Sequence, residues 1–300
     1  MKVLLAGATG FLGSNLIPSF SEKGWEVTAI GRNRSKLEYL REKFSVIPLQ
    51  ADLTEEGSWG EAVNKDWDIV INLTGESIFG RWTKKKKRRI YLSRVKATEN
   101  LLKHIKSASL LISASAVGYY GNAGTRKVTE NFLPGEDELS MIVEEWEGVA
   151  LEEKEKIERI VLLRTGSVIS KDSIVIKQML LPMKFFLGGY PGRGKNFFSW
   201  IHLKDFTEAV NFIIGNSEIS GPVNLTAPEP VTMKEFCKKI GKFIHRPCWI
   251  PVPVPLMALI MGELAFYLSF SQRVIPEKLL TAGYTFQYPD IDSALREIFT

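Results

Sequence analysis

Two stretches of the chain gather the residue types that chemistry needs. One is S-A-S-A-V-G-Y-Y-G at 113–121, where small residues leave an apolar strand and meet paired tyrosines. Ser115 there could orient a substrate hydroxyl or carbonyl, and Tyr119 or Tyr120 could exchange a proton with it. The other is G-A-T-G-F-L-G at 7–13, which sets Gly7, Gly10 and Gly13 between a predicted strand and a predicted helix. Glycines let such a turn approach a pyrophosphate closely, and the helix start behind it offers free N–H groups and a positive dipole end. The spacing differs from G-x-G-x-x-G, so the weight rests on the position of the motif after the first strand of a longer winding.

The second strand should end at Gly31, where a cofactor with a free ribose 2'-hydroxyl would call for an acidic side chain. The chain has Arg32, Asn33 and Arg34 instead. Arginine pairs a 2'-phosphate in a bidentate manner and can cover adenine with its flat face, so NADP is the favoured cofactor. Asp52, just after the third strand, is the natural acceptor for the adenine edge. A metal is not expected: His104, His202 and His245 are scattered, and Cys237 and Cys248 have neither a disulfide-framework nor a metal-ligand spacing. Both cysteines read as core or surface thiols.

These residues have to be positioned by a framework, and the apolar pattern supplies one. Short apolar runs at 2–6, 26–30, 45–49, 68–73, 109–114 and 159–163 alternate with stretches of helical period, the rhythm of a parallel sheet wound with helices. The fold class is therefore α/β, a Rossmann-like doubly wound parallel sheet with a smaller α+β C-terminal lobe. The boundary falls after Gly166, giving a nucleotide-binding domain at 1–166 and a substrate lobe at 167–300, with parts of 197–227 returning to the first. The lobe should hold an apolar helix at 173–187, a pliable Gly-rich loop at 188–195 that could close over the crevice, and a helix from Thr232 to Phe243.

Composition narrows the function classes. With 300 residues, 45% of them hydrophobic, the chain can bury a full core. The formal charge is only +5 and much of it sits in K-K-K-K-R-R at 84–89, so nucleic acid is not an expected partner. That run reads as a solvated helix face, with a phosphate-rich substrate as the sharper alternative. The apolar stretch 250–270 is interrupted by three prolines and Glu263, short of the ~18 residues a membrane span needs. The start lacks a secretory pattern, so a cytoplasmic protein with a small-molecule substrate is expected. No feature sets the oligomeric state.

At this point the residues resemble a family. The motifs G-A-T-G-F-L-G at 7, V-I-N-L-T-G-E at 70, S-R-V-K-A-T at 93, I-S-A-S-A-V-G-Y-Y-G at 112, L-L-R-T-G at 162, F-F-S-W-I-H at 197, G-P-V-N-L-T-A-P at 221 and S-Q-R-V-I-P at 271 are similar to those of the extended short-chain dehydrogenase/reductases. Within them the chain resembles the epimerase/dehydratase group, in its atypical, sugar-nucleotide-epimerase-like branch with a small C-terminal domain. The resemblance implies a bound NAD(P). It also implies a Tyr-x3-Lys about 25 residues after the strand serine, with tyrosine as acid/base and lysine lowering its pKa. The window 139–147 reads L-S-M-I-V-E-E-W-E, so both residues are missing, and Tyr39 to Lys43 has the spacing in the wrong place.

The resulting reading is an NADP-dependent oxidoreductase-like protein of the epimerase/dehydratase type, acting on a small polar substrate such as a nucleotide sugar. Gly7, Thr9, Gly10, Phe11, Leu12 and Gly13 would hold the pyrophosphate, and Arg32 and Arg34 the 2'-phosphate. Asp52, Leu73, Thr74, Gly75 and Glu76 would border the rest of the cofactor. Ser115, Tyr119 and Tyr120 would be catalytic, and Arg81, Trp82, Trp146, Arg193 and Trp200 would meet the substrate. His202, in H-x-x-D with Asp205, is expected to lock a loop. A rival reading keeps the fold and gives up catalysis, leaving an NADP(H)-binding sensor or scaffold.

Overall fold

Runs rich in Val, Ile and Leu make strands that can be buried on both faces. Seven pair in parallel in the computed structural model, which describes residues 1–300. In chain order they are β1 (Lys2–Ala6), β2 (Glu26–Gly31), β3 (Ile47–Gln50), β4 (Asp66–Asn72), β5 (Ser107–Ala116), β6 (Ile157–Thr165) and β7 (Gly221–Leu225). Across the sheet the order is β7-β6-β5-β4-β1-β2-β3. The winding reverses between β1 and β4, so a crevice opens beyond their carboxyl ends, where Ala6 lies opposite Asn72.

Period-two alternation divides the strands between two cores. Val3, Leu5, Ile69, Ile71, Leu110 and Ile112 point to one face, covered by α1 (Phe11–Glu22) and α2 (Arg34–Phe44). Leu4, Ala6, Val70, Leu111 and Leu162 point to the other. That face is covered by a helical run starting as α3 (Lys84–Tyr91), passing through one π-turn at Leu92–Lys96, and continuing as α4 (Ala97–His104). Thr83 caps the run by accepting from the Lys86 N–H at 3.2 Å. Next to it lies α5 (Glu138–Glu152), capped by Asp137.

The C-terminal part has its own core around Ile176, Trp200, Phe236, Ile240, Ile291 and Leu295. It contains α6 (Ile174–Lys184), α7 (Leu203–Gly215), α8 (Met233–Phe243), α9 (Val254–Met261) and α10 (Ile291–Phe299). Phe206, Ala209, Val210 and Ile213 of α7 pack back into the first core of the sheet. The Gly-rich segment expected to be a pliable loop is strand in its first half. Gly188–Pro191 pairs in parallel with Cys248–Val252, and Tyr190 is buried. The separate-thiol reading of the cysteines is also corrected, because that pairing brings the sulfurs of Cys237 and Cys248 together, with Cα atoms 5.7 Å apart, the span of a disulfide. No helix is long and apolar enough to cross a membrane.

Candidate functional site

The chain leaves β1 at Ala6 and turns at Gly7, whose φ of +81° suits glycine. A Cβ there would lie 2.7 Å from the Leu73 carbonyl oxygen, and one at Gly13 would lie 2.5 Å from the Gly7 oxygen. The turn is thus pressed between β4 and α1 with no room for a side chain. The first turn of α1 has no side-chain cap, so its leading N–H groups remain available to an anion. Gly7, Thr9 and Gly10 line a narrow cleft of about 140 Å³ together with Arg32, Asp52, Leu73, Thr74, Gly75 and Glu76.

The far end of the cleft is charged. Arg32, largely exposed, stands 3.7 Å from Asp52 and 3.8 Å from Glu76. Burial pushes the Asp52 carboxyl up, but hydrogen bonds from Thr54 together with Arg32 outweigh it and hold it below the usual range. A hydrogen bond from Lys86 at 3.0 Å holds the Glu76 carboxyl down in the same way. Lys86 and Lys87 of the basic run are thereby not simply solvated: Lys87 bridges Glu138 and Glu263 at 2.8 and 2.9 Å. Arg34 is exposed at the start of α2 and does not reach the cleft wall. Lys36, one turn beyond Arg32 and missed in the sequence, places its Nζ 3.5 Å from the Thr9 oxygen.

The polar groups of 113–121 are arranged differently from the expectation. Ser115 Oγ donates to Glu147 Oε1 at 2.5 Å, and both residues are buried. Arg164 grips the same carboxylate twice, at 2.8 and 2.7 Å, and also donates to the Tyr120 hydroxyl and the Glu130 carbonyl, each at 3.1 Å. Tyr120 in turn donates to Asn224 Oδ1 at 2.6 Å, which ties the turn after β5 to β7. Burial pushes the Tyr120 phenol up to about 12, against the pull of Arg164. Tyr119 is half-buried with the Arg164 guanidinium 3.4 Å from its ring centre, and burial raises its pKa also. Ser115 and Tyr120 therefore belong to a buried network around an ion pair, and Tyr119 lies half-buried over its guanidinium.

The wall of the crevice is apolar. Beside this cleft lies a larger cavity of about 400 Å³, reached by Phe11 and Leu12 from the glycine turn. Leu139 and Val143 of α5 face it, as do Ala116, Val117 and Gly118 after β5. Phe197, Phe198, Met233, Leu264 and Tyr267 close it from the C-terminal part. Arg94 enters it from the π-turn, an arrangement often found at functional positions. The neighbouring Ser93 accepts from the Glu76 N–H at 2.8 Å, which pins the end of β4 to this turn.

The five residues expected to meet a substrate do not line this cavity. Trp200 is fully buried and donates to the Glu229 oxygen at 3.2 Å. Trp146 is buried and donates to Thr98 Oγ1 at 2.9 Å, and Trp82 donates to the Ile78 oxygen at 2.7 Å while packing on Tyr267. Arg81 and Arg193 are exposed. The reason is size and polarity: large aromatics were more useful to the cores, and the two arginines remain solvated. His202 is buried at the start of α7, where its Nδ1 accepts from the Lys204 N–H, and Asp205 accepts from the Gln287 and Tyr288 N–H groups at 2.7 and 2.8 Å. This pair pins the segment leading into α10.

A sequence model described as the NAD dependent epimerase/dehydratase family matches residues 3–225, and one described as a domain of unknown function, DUF1731, matches residues 252–298. The chain is 36% identical over 307 residues to epimerase family protein YfhF of Bacillus subtilis, covering 99% of this chain and 98% of that protein. It is 33% identical to an Arabidopsis thaliana protein called epimerase family protein SDR39U1 homolog, chloroplastic, over 99% of this chain and 86% of the relative. Among solved structures, human epimerase family protein SDR39U1 with NADPH superposes with a TM-score of 0.82 at 28% identity, covering 99% of both chains. A UDP-glucuronic acid 4-epimerase from Bacillus cereus reaches a TM-score of 0.80 over 100% of this chain and 98% of that one, but at 15% identity it shares the fold alone.

Proposed function

The chain belongs to the NAD-dependent epimerase/dehydratase family, and on that premise we propose that it binds NADP(H) in the cleft beyond β1 and works on a small molecule in the adjoining cavity. One observation carries this reading. The glycine turn is shared, with Gly7 and Gly10 lining the cleft and Phe11 and Leu12 lining the cavity. A dinucleotide whose pyrophosphate rests on the turn would then reach toward the cavity with its nicotinamide.

The residues fit such a group. The uncapped first turn of α1 offers N–H donors to phosphate, and a cleft that passes only backbone at Gly7 matches a close-lying pyrophosphate. Arg32 and Lys36 supply cations near the adenosine ribose, which favours a 2'-phosphate, and the NADPH in the human relative supports the same choice. When bound, the nucleotide supplies hydride chemistry, while the chain orients the partners and excludes water. Leu73, Thr74 and Gly75, which line the cleft just after β4, would border the ribose. With Tyr120 and Ser115 drawn into the buried network, Tyr267 is the titratable acid left on the cavity wall. Burial and nearby Glu138 push its phenol up, so at neutral pH it can donate a proton but is a poor base, which favours carbonyl reduction.

The sensor or scaffold reading has one observation in its favour: Leu139 and Val143, four apart on α5, occupy the cavity-facing positions where a Tyr-x3-Lys pair would act. Calorimetric titration with NADPH and NADH tests the cofactor, and NADPH oxidation with a panel of carbonyls tests turnover. A charge-assisted pair to phosphate contributes ~1.5–3 kcal/mol, so NADPH should bind at least about tenfold more tightly than NADH, and Arg32→Ala should reduce that preference. Equal affinities for the two nucleotides in the native protein would remove the assignment of NADP. NADPH binding without turnover of any carbonyl would favour the sensor.

A further inference from the structure

Arg94 is the one charged side chain among the 28 residues that line the cavity beside the cofactor cleft. No acidic residue shares that wall. The polar remainder is sparse and uncharged, including Ser77, Thr165, Ser167, Asn196 and Gln272.

The guanidinium is held in place without being neutralised. Its Nη1 donates to the Glu76 carbonyl at 3.0 Å and the Ile90 carbonyl at 3.3 Å, while Nη2 is not engaged by a protein acceptor. The Glu76 carboxylate nearby is committed to Lys86 at 3.0 Å and Arg89 at 3.7 Å. Beneath the guanidinium lies the Trp146 ring, 5.4 Å away, itself fixed by Thr98. Burial lowers the Arg94 pKa to about 10, with Glu76 partly opposing, which leaves the group cationic at neutral pH. A desolvated cation with a free donor edge and no carboxylate hydrogen-bonded to it is a site prepared for an anion.

We infer that the cavity takes a small, largely apolar molecule carrying a single anionic group that pairs with Arg94, and not a nucleotide sugar. The inference rests on the reading that NADP(H) occupies the neighbouring cleft, and it replaces the polar substrate expected from the sequence. A nucleoside diphosphate sugar brings two charged phosphates and a ring of hydroxyls, whereas this wall offers one cation amid Phe, Leu, Ile and Val side chains. A second phosphate would be buried without a cationic partner, and the few uncharged polar side chains of the wall would have to replace the water lost by every hydroxyl. An aromatic or aliphatic acid leaves neither group unpaired, and a cavity of about 400 Å³ has room for one.

The test uses the full-length protein and four probes: 2-naphthoate, its neutral counterpart 2-naphthamide, decanoate and UDP-glucose. Each is titrated by calorimetry with and without saturating NADP+. The two carboxylates should bind, 2-naphthoate at least about tenfold more tightly than 2-naphthamide, and UDP-glucose more weakly than either carboxylate. Arg94→Gln should erase the difference between 2-naphthoate and its amide, and Arg94→Lys should keep part of it. Equal binding of acid and amide by the native protein, or tighter binding of UDP-glucose, overturns the inference without reference to any variant. If NADP+ itself fails to bind, the cofactor reading falls separately, and the titrations without nucleotide still decide the anion preference.

Discussion

Replacing Glu147 with glutamine removes a charge from the centre of the buried network while preserving its shape. The native carboxylate and the Arg164 side chain are exposed by only 6% and 4%, and their contacts are two charge-assisted hydrogen bonds of 2.8 and 2.7 Å plus the Ser115 hydroxyl at 2.5 Å. In Glu147→Gln one of these oxygens becomes an NH2 group facing the guanidinium, so Arg164 remains charged, buried and half-satisfied. Breaking a buried pair from one side costs about 3–5 kcal/mol. Against a total stability of about 5–15 kcal/mol that is a large fraction. With a urea slope of about 3 kcal/mol per molar, the unfolding midpoint should fall by about 1–1.7 M at unchanged slope. Urea titrations followed by far-ultraviolet circular dichroism and by tryptophan fluorescence give the shift. The double replacement Glu147→Met with Arg164→Met should recover part of the loss, because it leaves no orphaned charge. A shift below ~0.3 M, or a double variant no more stable than Glu147→Gln, would refute the view that this pair is a strut of the fold.

Two further perturbations probe the elements that hold the site. Burial lowers the His202 pKa to about 4, below its unfolded value of 6.5, so the native state binds fewer protons and stability is complete above pH ~6.5 and lost as pH falls toward 4. The loss should total about 3 kcal/mol, and His202→Gln, which keeps an acceptor for the helix cap, should flatten the stability difference across that window, whereas parallel curves for the two proteins would count against it. Gly13→Ala should destabilise by about 1–3 kcal/mol and weaken nucleotide binding, because its Cβ would meet the Gly7 oxygen at 2.5 Å. Gly148→Ala, in the middle of α5 with nothing within 4 Å of its Cβ, should instead stabilise by up to ~1 kcal/mol, and thermal unfolding of the two variants in opposite directions is the expected result.

The fold was legible because its signals are local. Val3 to Ala6, Val27 to Ile30 and Val70 to Asn72 each announce a strand by composition and length, and the glycines that follow β1 announce the turn. β7 is harder to see, since it opens with Gly-Pro and its hydrogen bonds come from β6, which lies far away in sequence. Side-chain destinations were less legible still. Nothing in the sequence distinguishes Trp200 filling a core from Trp200 lining a pocket, because both uses want a large apolar ring. Ser115 and Arg164 are paired through Glu147 on a third element, and such a meeting is set by packing rather than by spacing. Arg94 lies within the motif S-R-V-K-A-T, but what distinguishes it is that no carboxylate is hydrogen-bonded to it and no acid shares its cavity wall, which only the three-dimensional arrangement reveals.

The polar groups of the crevice are thus divided into two populations with different physical duties. One population, Ser115, Tyr120, Glu130, Glu147, Arg164 and Asn224, is hydrogen-bonded internally except for Glu130 Oε2, which is buried without a partner, and it joins β5, β6 and β7 across the sheet. A phenol in such a network, raised to about 12 by burial, cannot serve as a base near neutrality. The other population has two titratable members, Arg94 and Tyr267, set with a few uncharged polar side chains into a largely apolar wall beside the glycine turn. Burial strips water from both, which strengthens any ion pair Arg94 makes and keeps the Tyr267 proton in place until an acceptor of rising basicity arrives. A carbonyl oxygen receiving hydride on its carbon becomes such an acceptor, whereas an alcohol awaiting deprotonation finds no base on this wall. The same dryness that would select the proposed apolar anion would therefore also set the direction in which chemistry on it is easier.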